Sequence, residues 1–92
     1  MASVLSALLA VVVAATSSSI AHIHGKIVAI DAKHGVFSIH HDAFPQMPMA
    51  MTMDVKPVHR ADLAKLHVGE VVNATIDTAA MPWRGIEVHA AR

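Results

Sequence analysis

Five short segments with the composition of β-strands follow one another between residues 23 and 89, separated by turn-forming residues. The third segment shows the pattern most clearly: from Met49 to Val55 every odd position is apolar and the even positions are mostly polar. Since side chains alternate between the two faces of a strand, such a segment has one buried face. The predicted strands cover residues 23–31, 36–41, 49–57, 71–77 and 85–89.

One helical segment interrupts this succession of strands. The stretch from His59 to Leu66 predicts a short helix with Leu63 and Leu66 facing inward, and Gly69 ends the connection that follows. Short strands at regular intervals, with one helix between the third and the fourth, predict an all-β fold. We expect a small five-stranded Greek-key barrel of the OB-fold type.

The first 21 residues differ from the rest of the chain. The run from Val4 to Ala15 is almost wholly apolar, but it is shorter than the roughly 20 residues that a spanning helix needs. Ser19 and Ala21 provide the small residues of a signal-peptidase cleavage site, although no Lys or Arg precedes the apolar run. The sequence therefore predicts a signal peptide over residues 1–21 and one OB-fold metal-binding domain over residues 22–92. We expect the exported domain to be a soluble monomer without stable membrane insertion.

Charge and cysteine content exclude several functions. The chain has seven Lys and Arg against seven Asp and Glu, whereas a nucleic-acid binder normally presents a basic face. It has no cysteine, so disulfides and thiolate chemistry are excluded. No arrangement of Ser, His and Asp predicts catalysis, and we expect a binding protein that is not an enzyme.

Methionine and histidine carry the chemical signal. The chain has eight His and six Met, and four of the Met lie between residues 47 and 53. Thioether sulfur is a soft ligand that favours Cu(I) and Ag(I). Met51 and Met53 lie on one face of their strand, and His41 ends an inward row on the preceding strand, so the three can converge on one ion. The alternative is that these methionines only fill the core, since a Met row on a strand is commonly packing.

Two stretches carry a family resemblance. Residues 25–41, GKIVAIDAKHGVFSIHH, and Met51-Thr52-Met53 resemble the CusF-type periplasmic copper and silver binding proteins. That family shows a G-x-V-x-x-I-D opening, an I-x-I-H-H strand end and a W-P-x-M-T-M segment. The resemblance implies a periplasmic OB-fold metallochaperone that passes Cu(I) or Ag(I) to the adaptor subunit of a heavy-metal efflux pump. It also implies that His41, Met51 and Met53 are the metal ligands.

The chain departs from the family at its aromatic residue. The family's Trp, which covers the metal, stands three residues before the first ligand Met, where this chain has Pro48. Met47 or Met49 beside it is therefore a candidate for a third thioether ligand. The only Trp, Trp83, precedes the last strand, and we expect it to lie exposed or at the rim, with a role in capping the metal as the alternative.

Two further hypotheses stay open at this point. If cleavage follows Ala21, a free amino terminus at His22 together with His24 forms a Cu(II) chelate. The chain is alternatively an OB-fold interaction module that docks to a pump adaptor and regulates it without carrying metal. Oligonucleotide binding is the less favoured form of that alternative, because the chain has only three aromatic residues among Phe, Trp and Tyr for base stacking.

Overall fold

The computed structural model describes residues 19–91 as five strands and one 3-10 helix. In chain order the elements are β1 (Ile20–Asp31), β2 (Val36–His41), β3 (Met51–Pro57), η1 (Arg60–Lys65), β4 (Val71–Asp77) and β5 (Trp83–Ala90). The predicted signal peptide falls mostly outside the described residues, and β1 begins at Ile20, two residues before the predicted domain start. No helix within residues 19–91 has the length and apolar character needed to cross a membrane.

The five strands close into a barrel in the order β1-β2-β3-β5-β4. All neighbouring strands pair antiparallel except β3 and β5, which run parallel. The long strand β1 closes the barrel, because its first part pairs with β4 and its second part with β2. A register shift between Ile27 and Ala29 marks the irregularity at which β1 bends. This topology confirms the predicted five-stranded OB-type barrel.

Alternation along each strand builds the core. One face of every strand points into the barrel, and the fully buried apolar side chains among the described residues include Phe37, Ile39 and Val55. Leu63 and Leu66 are buried as predicted, although the helix is of the 3-10 type and is shorter than the predicted segment. Because η1 follows the end of β3 that is farthest from Met51, it lies away from that strand's methionines.

Turn chemistry sets the β1–β2 hairpin. Gly35 has a φ of +72°, a conformation that favours glycine, and its N–H donates to the carbonyl of Asp31 at 2.9 Å. The N–H and the Nδ1 of His34 both bond the Asp31 carboxylate, at 3.1 and 2.7 Å. The predicted turn after Asp31 is therefore confirmed, and it sets the register of the hairpin up to the shift between Ile27 and Ala29, beyond which Gly25 lies opposite His41.

Strand ends differ from the predictions in three of the strands. β1 begins earlier than predicted and β5 extends in both directions, because each finds a neighbour in the closed barrel. β3 begins at Met51 and not at Met49, since β2 ends at His41 and offers no partner beyond the His41–Met51 pair. The prolines between β2 and β3 also lack the N–H that a ladder needs.

Candidate metal centre

His41 is the last residue of β2, and its side chain is fully buried, with an exposed fraction of 0%. It is the only buried polar or charged residue of the barrel interior within residues 19–91. The inward row Phe37, Ile39, His41 predicted from the sequence is present. A histidine in this position is uncommon in an apolar core unless a partner satisfies its ring nitrogens.

The two ring nitrogens of His41 have different surroundings. Nδ1 lies 2.9 Å from the backbone oxygen of Asp42, and because a carbonyl can only accept, Nδ1 carries the hydrogen and donates it. Nε2 is buried and has no hydrogen-bond partner among the described residues. Leaving a buried polar atom unpaired costs about 1–3 kcal/mol. A metal-ligating histidine has this arrangement, with one nitrogen held by an acceptor and the other free to coordinate.

Strand pairing brings two thioethers to His41. Met51 lies directly opposite His41 in the β2–β3 ladder, and Met53 lies opposite Ile39. Directly opposed residues have Cβ atoms about 5 Å apart, and diagonal neighbours are roughly 7–8 Å apart. Both methionines are half-buried, and Met53 packs against the core. The three candidate ligands selected by alternation therefore lie at one end of the barrel, on the inward-facing positions of β2 and β3.

The structure distinguishes the two additional methionines. Met47 is half-buried and packs against the core, and a tight turn holds it, in which Phe44 and Met47 exchange backbone hydrogen bonds of 3.0 and 2.9 Å. The side chain of Met49, in contrast, is 60% exposed. Met47 is therefore the better placed of the two for a third thioether, although the sequence alone did not separate them.

Two aromatic rings pack on the imidazole of His41. The ring centroids of Phe44 and Trp83 lie 5.1 and 5.4 Å from that of His41, and they lie 5.9 Å from each other. Trp83 is only 3% exposed, so the expectation of an exposed or rim position was wrong. The cause is the parallel pairing of β5 with β3, which sets Trp83 beside Val55 and turns the indole inward.

Gly25 lets β1 approach β2 closely at the site. A Cβ atom added to Gly25 would lie 2.5 Å from the backbone oxygen of His40 and 2.8 Å from the Cα of His41. Only a residue without a side chain fits between these backbones. The glycine therefore helps to set the position from which His41 points into the barrel.

Met81 was not identified as a site residue from the sequence. It is 74% exposed, and with Met53 it lines a surface cavity of about 370 Å³ between β3 and the segment before β5. This places a fifth thioether, after Met47, Met49, Met51 and Met53, beside Met53. The Met-Pro-Trp stretch was visible in the sequence, but only the β3–β5 pairing shows where it lies.

The remaining histidines lie outside the barrel interior. His40 points outward and bonds the hydroxyl of Thr52 at 3.0 Å, so it does not join His41 at the site. His22 and His24 lie on the outer face of β1 and are addressed below. The predicted amino-terminal Cu(II) chelate depends on cleavage after Ala21, and both Ala21 and Ile20 pair with β4 in the structure.

Comparisons with known proteins agree with this fold. The family model of the copper-binding periplasmic protein CusF matches residues 20–82. An Ag(I)-bound CusF structure is 16% identical and has a TM-score of 0.62, covering 78% of this chain and 97% of that chain. Apo-CusF from Escherichia coli, residues 6–88, is 15% identical with a TM-score of 0.70, covering 85% of this chain and 94% of that one. No curated protein sequence matches the chain significantly. At 15–16% identity the solved structures support the fold alone. The family match, which covers residues 20–82, supports membership of a family of copper-binding periplasmic proteins.

Proposed function

The chain belongs to the family of the copper-binding periplasmic protein CusF, and on that premise we propose that it carries Cu(I) or Ag(I) to an efflux system. Membership confirms the predicted copper binding and periplasmic location, and it places the chain among binding proteins and not among enzymes. In our proposal the ion is held by His41, Met51 and Met53, with Met47 as the additional thioether. The silver-bound CusF structures extend the proposal to Ag(I).

The observation that carries this proposal is the buried, unpaired Nε2 of His41. A core histidine kept for packing would satisfy both ring nitrogens, whereas here the backbone of Asp42 satisfies Nδ1 alone. Met51 lies directly opposite His41 in the β2–β3 ladder, so its thioether is the nearest candidate partner across the strands. One borderline nitrogen and two or three soft sulfurs form a ligand set suited to a soft monovalent cation and poorly suited to Zn(II) or Mg(II).

The chemistry of the ligands also fits a carrier. Imidazole and thioether are neutral, so binding leaves the positive charge of the ion uncompensated by anionic ligands. Thiolates would hold Cu(I) more tightly, but the chain has no cysteine. The rings of Phe44 and Trp83 exclude water from the parts of the His41 imidazole on which they pack. Moderate affinity and replaceable ligands suit an ion that must be passed on.

The direct test is an anaerobic titration of the full chain with Cu(I), Ag(I) and Zn(II), followed by NMR of the Met methyl and His ring signals. We expect one-to-one binding of the soft ions, with shifts at His41, Met51, Met53 and Met47, and weak or no binding of Zn(II) at these residues. Absence of soft-ion binding would mean that the methionine row is packing. The chain would then be an interaction module of the barrel type.

Delivery to an efflux system needs a separate test. We expect the metal-loaded chain to transfer Cu(I) to an isolated periplasmic adaptor subunit, and the apo chain to take none of it back at equal concentration. If the two proteins associate but no metal moves, the chain regulates the adaptor and does not supply it. Exposed thioethers at Met49 and Met81 favour delivery, because they give an incoming acceptor access to the site.

A further inference from the structure

We propose that the outer face of β1, β4 and β5 holds a second metal site, for a divalent transition cation such as Cu(II) or Zn(II). Its ligands are the imidazoles of His22, His24 and His89. These three side chains and the Asp42 carboxylate line one open cavity of about 410 Å³. The three histidines lie on the outer face of their strands, whereas His41 points into the barrel.

Strand register places the three histidines on one face. His24 lies opposite Asn73 on β4, and Asn73 lies opposite His89 on β5. Two strand spacings separate His24 and His89, or about 10 Å between their Cα atoms. His22 and His24 are two residues apart on β1, about 7 Å, and therefore point the same way. Imidazoles reaching out from these positions can meet above the short side chain of Asn73.

Existing hydrogen bonds already orient two of the ligands. His24 donates from Nδ1 to the carboxylate Oδ2 of Asp42 at 2.7 Å, and the Nδ1 of His22 bonds the Oγ1 of Thr75 at 3.1 Å. No hydrogen bond within residues 19–91 uses the Nε2 of either ring. A metal-binding histidine commonly has its other nitrogen held by a carboxylate or another acceptor, and His24 shows this arrangement with Asp42. His22 adopts it when its Nδ1 donates to the hydroxyl of Thr75.

The third ligand must move for the site to form. As they stand, no group of three or more His, Cys, Asp or Glu side chains among residues 19–91 has metal-binding geometry. The obstacle is the orientation of His89, whose side chain is 70% exposed and has room to rotate. His89 is held only by a 3.7 Å contact with Glu87. Rotation of His89 toward β1 completes a set of three nitrogen ligands.

Ligand chemistry separates this site from the interior one. Imidazole nitrogen suits Cu(II), Zn(II) and Ni(II), and Cu(II) binds most strongly in that series, whereas thioethers select Cu(I) and Ag(I). The outer face contributes no methionine to the cavity. The barrel wall therefore carries a nitrogen site on one side and a sulfur-rich site on the other. The outer site also needs no free amino terminus, unlike the chelate that cleavage after Ala21 would create.

The test is a titration of the full chain with Cu(II) and, separately, Zn(II), on the wild type and on His24→Asn, His89→Asn and the control His67→Asn. His67 is an exposed histidine outside the cavity. We expect one saturable divalent site whose Kd rises at least tenfold in His24→Asn and in His89→Asn and stays unchanged in His67→Asn. Cu(II) should broaden the NMR signals of His22, His24 and His89, and Cu(I) affinity should be the same in all four proteins.

Two results would overturn the proposal. One is the absence of saturable divalent binding, or binding that survives both substitutions at the cavity. The other is broadening at His22 and His24 without His89, with His89→Asn unchanged, which identifies a site formed by the two β1 histidines alone. Because Cu(I) binding is measured independently, failure of the outer site leaves the proposed carrier function untouched. Thermal unfolding of each variant shows whether a changed Kd comes from a changed fold.

Discussion

At the scale of single residues, the chemistry of this chain depends on which nitrogen of His41 is free. The backbone oxygen of Asp42 fixes the hydrogen on Nδ1, so the buried Nε2 keeps its lone pair and has no hydrogen-bond partner among residues 19–91. Alternation along two strands was enough to select His41, Met51 and Met53 from the sequence. The tautomer was not predictable, because it depends on the direction that the backbone takes after His41.

Met51→Leu tests the sulfur at the residue nearest to His41. The two side chains are close in volume and polarity, so the fold should lose less than about 1.5 kcal/mol. Cu(I) affinity should fall at least tenfold, about 1.4 kcal/mol, because a soft ligand is lost. The matched variant is Met49→Leu, whose side chain is 60% exposed, and it should bind Cu(I) as the wild type does. Equal affinity in both variants would make Met51 a packing residue. Competition with a chromogenic Cu(I) chelator measures the affinities.

Trp83 gives a direct optical readout of the interior site. The chain has one Trp, and its ring centroid lies 5.4 Å from that of His41. A cation on Nε2 changes the field at the indole, so we expect Ag(I) and Cu(I) to change the emission of Trp83 until one equivalent has been added. The change should disappear in His41→Asn and persist in His40→Asn, whose side chain points outward. Emission that stays constant while binding is measured by another method would place the ion elsewhere.

At the scale of elements, the site forms where β1 and β3 both pair with the end of β2. The β2–β3 ladder sets Met51 opposite His41, and the β1–β2 ladder sets Gly25 opposite the same residue. The bounds of β2 and β4 were predicted correctly, because turn residues frame them on both sides. The start of β3 was predicted two residues early, since alternation continues through Met49 after the partner strand has ended.

Gly25→Ala should displace β1 from β2 at the metal site. The added Cβ would lie 2.8 Å from the Cα of His41, and neither backbone can yield easily. We expect a loss of about 1–3 kcal/mol in stability together with weaker Cu(I) binding.

Gly85→Ala is the matched control, because its Cβ would lie 2.9 Å from the Cγ1 of Val55, opposite Pro57 and away from His41. It should lower stability and keep the Cu(I) affinity, as chemical denaturation and competition titrations can show. Normal Cu(I) affinity in Gly25→Ala would remove Gly25 from the site.

The turn after β4 predicts how stability depends on pH. The backbone N–H of Ala79 donates to the Asp77 carboxylate at 2.9 Å and holds the pKa of Asp77 below its usual value. A lowered pKa in the folded state means that the unfolded chain binds the proton more tightly. The stabilisation is therefore complete above the usual aspartate pKa of about 4 and is lost as the pH falls through the lower folded value.

Asp77→Asn tests this dependence. The variant should have a lower Tm than the wild type at pH 6, and the two Tm values should converge as the pH falls through the lowered pKa of Asp77 in the folded state. Thermal unfolding followed by circular dichroism at several pH values between these limits gives the comparison. A difference in Tm that is the same at every pH would mean that the charge of Asp77 does not contribute.

At the scale of the whole molecule, closing the barrel places residues that are distant in sequence at one end of it. The parallel pairing of β3 with β5 sets Trp83 beside Val55 and brings Met81 to the cavity that Met53 lines. The sequence predicted five strands and an OB-type order, but alternation shows only which face a residue occupies and not which strand lies next to it. The aromatic packing on His41 and the thioether of Met81 were missed for this reason.

The exposed thioethers at this end of the barrel predict that they affect the rate of Cu(I) transfer and leave the Cu(I) affinity unchanged. Met81 is 74% and Met49 is 60% exposed, so neither is buried enough to hold the ion, but both can accept it as it leaves the interior ligands. The double variant Met49→Leu, Met81→Leu should keep the Cu(I) affinity within about twofold, since less than 0.5 kcal/mol is expected from exposed changes. Transfer of Cu(I) to an excess of a soluble chelator should become slower, as stopped-flow absorbance can measure. If the transfer rate of the double variant equals that of the wild type, the ion leaves by a route that does not involve these two side chains.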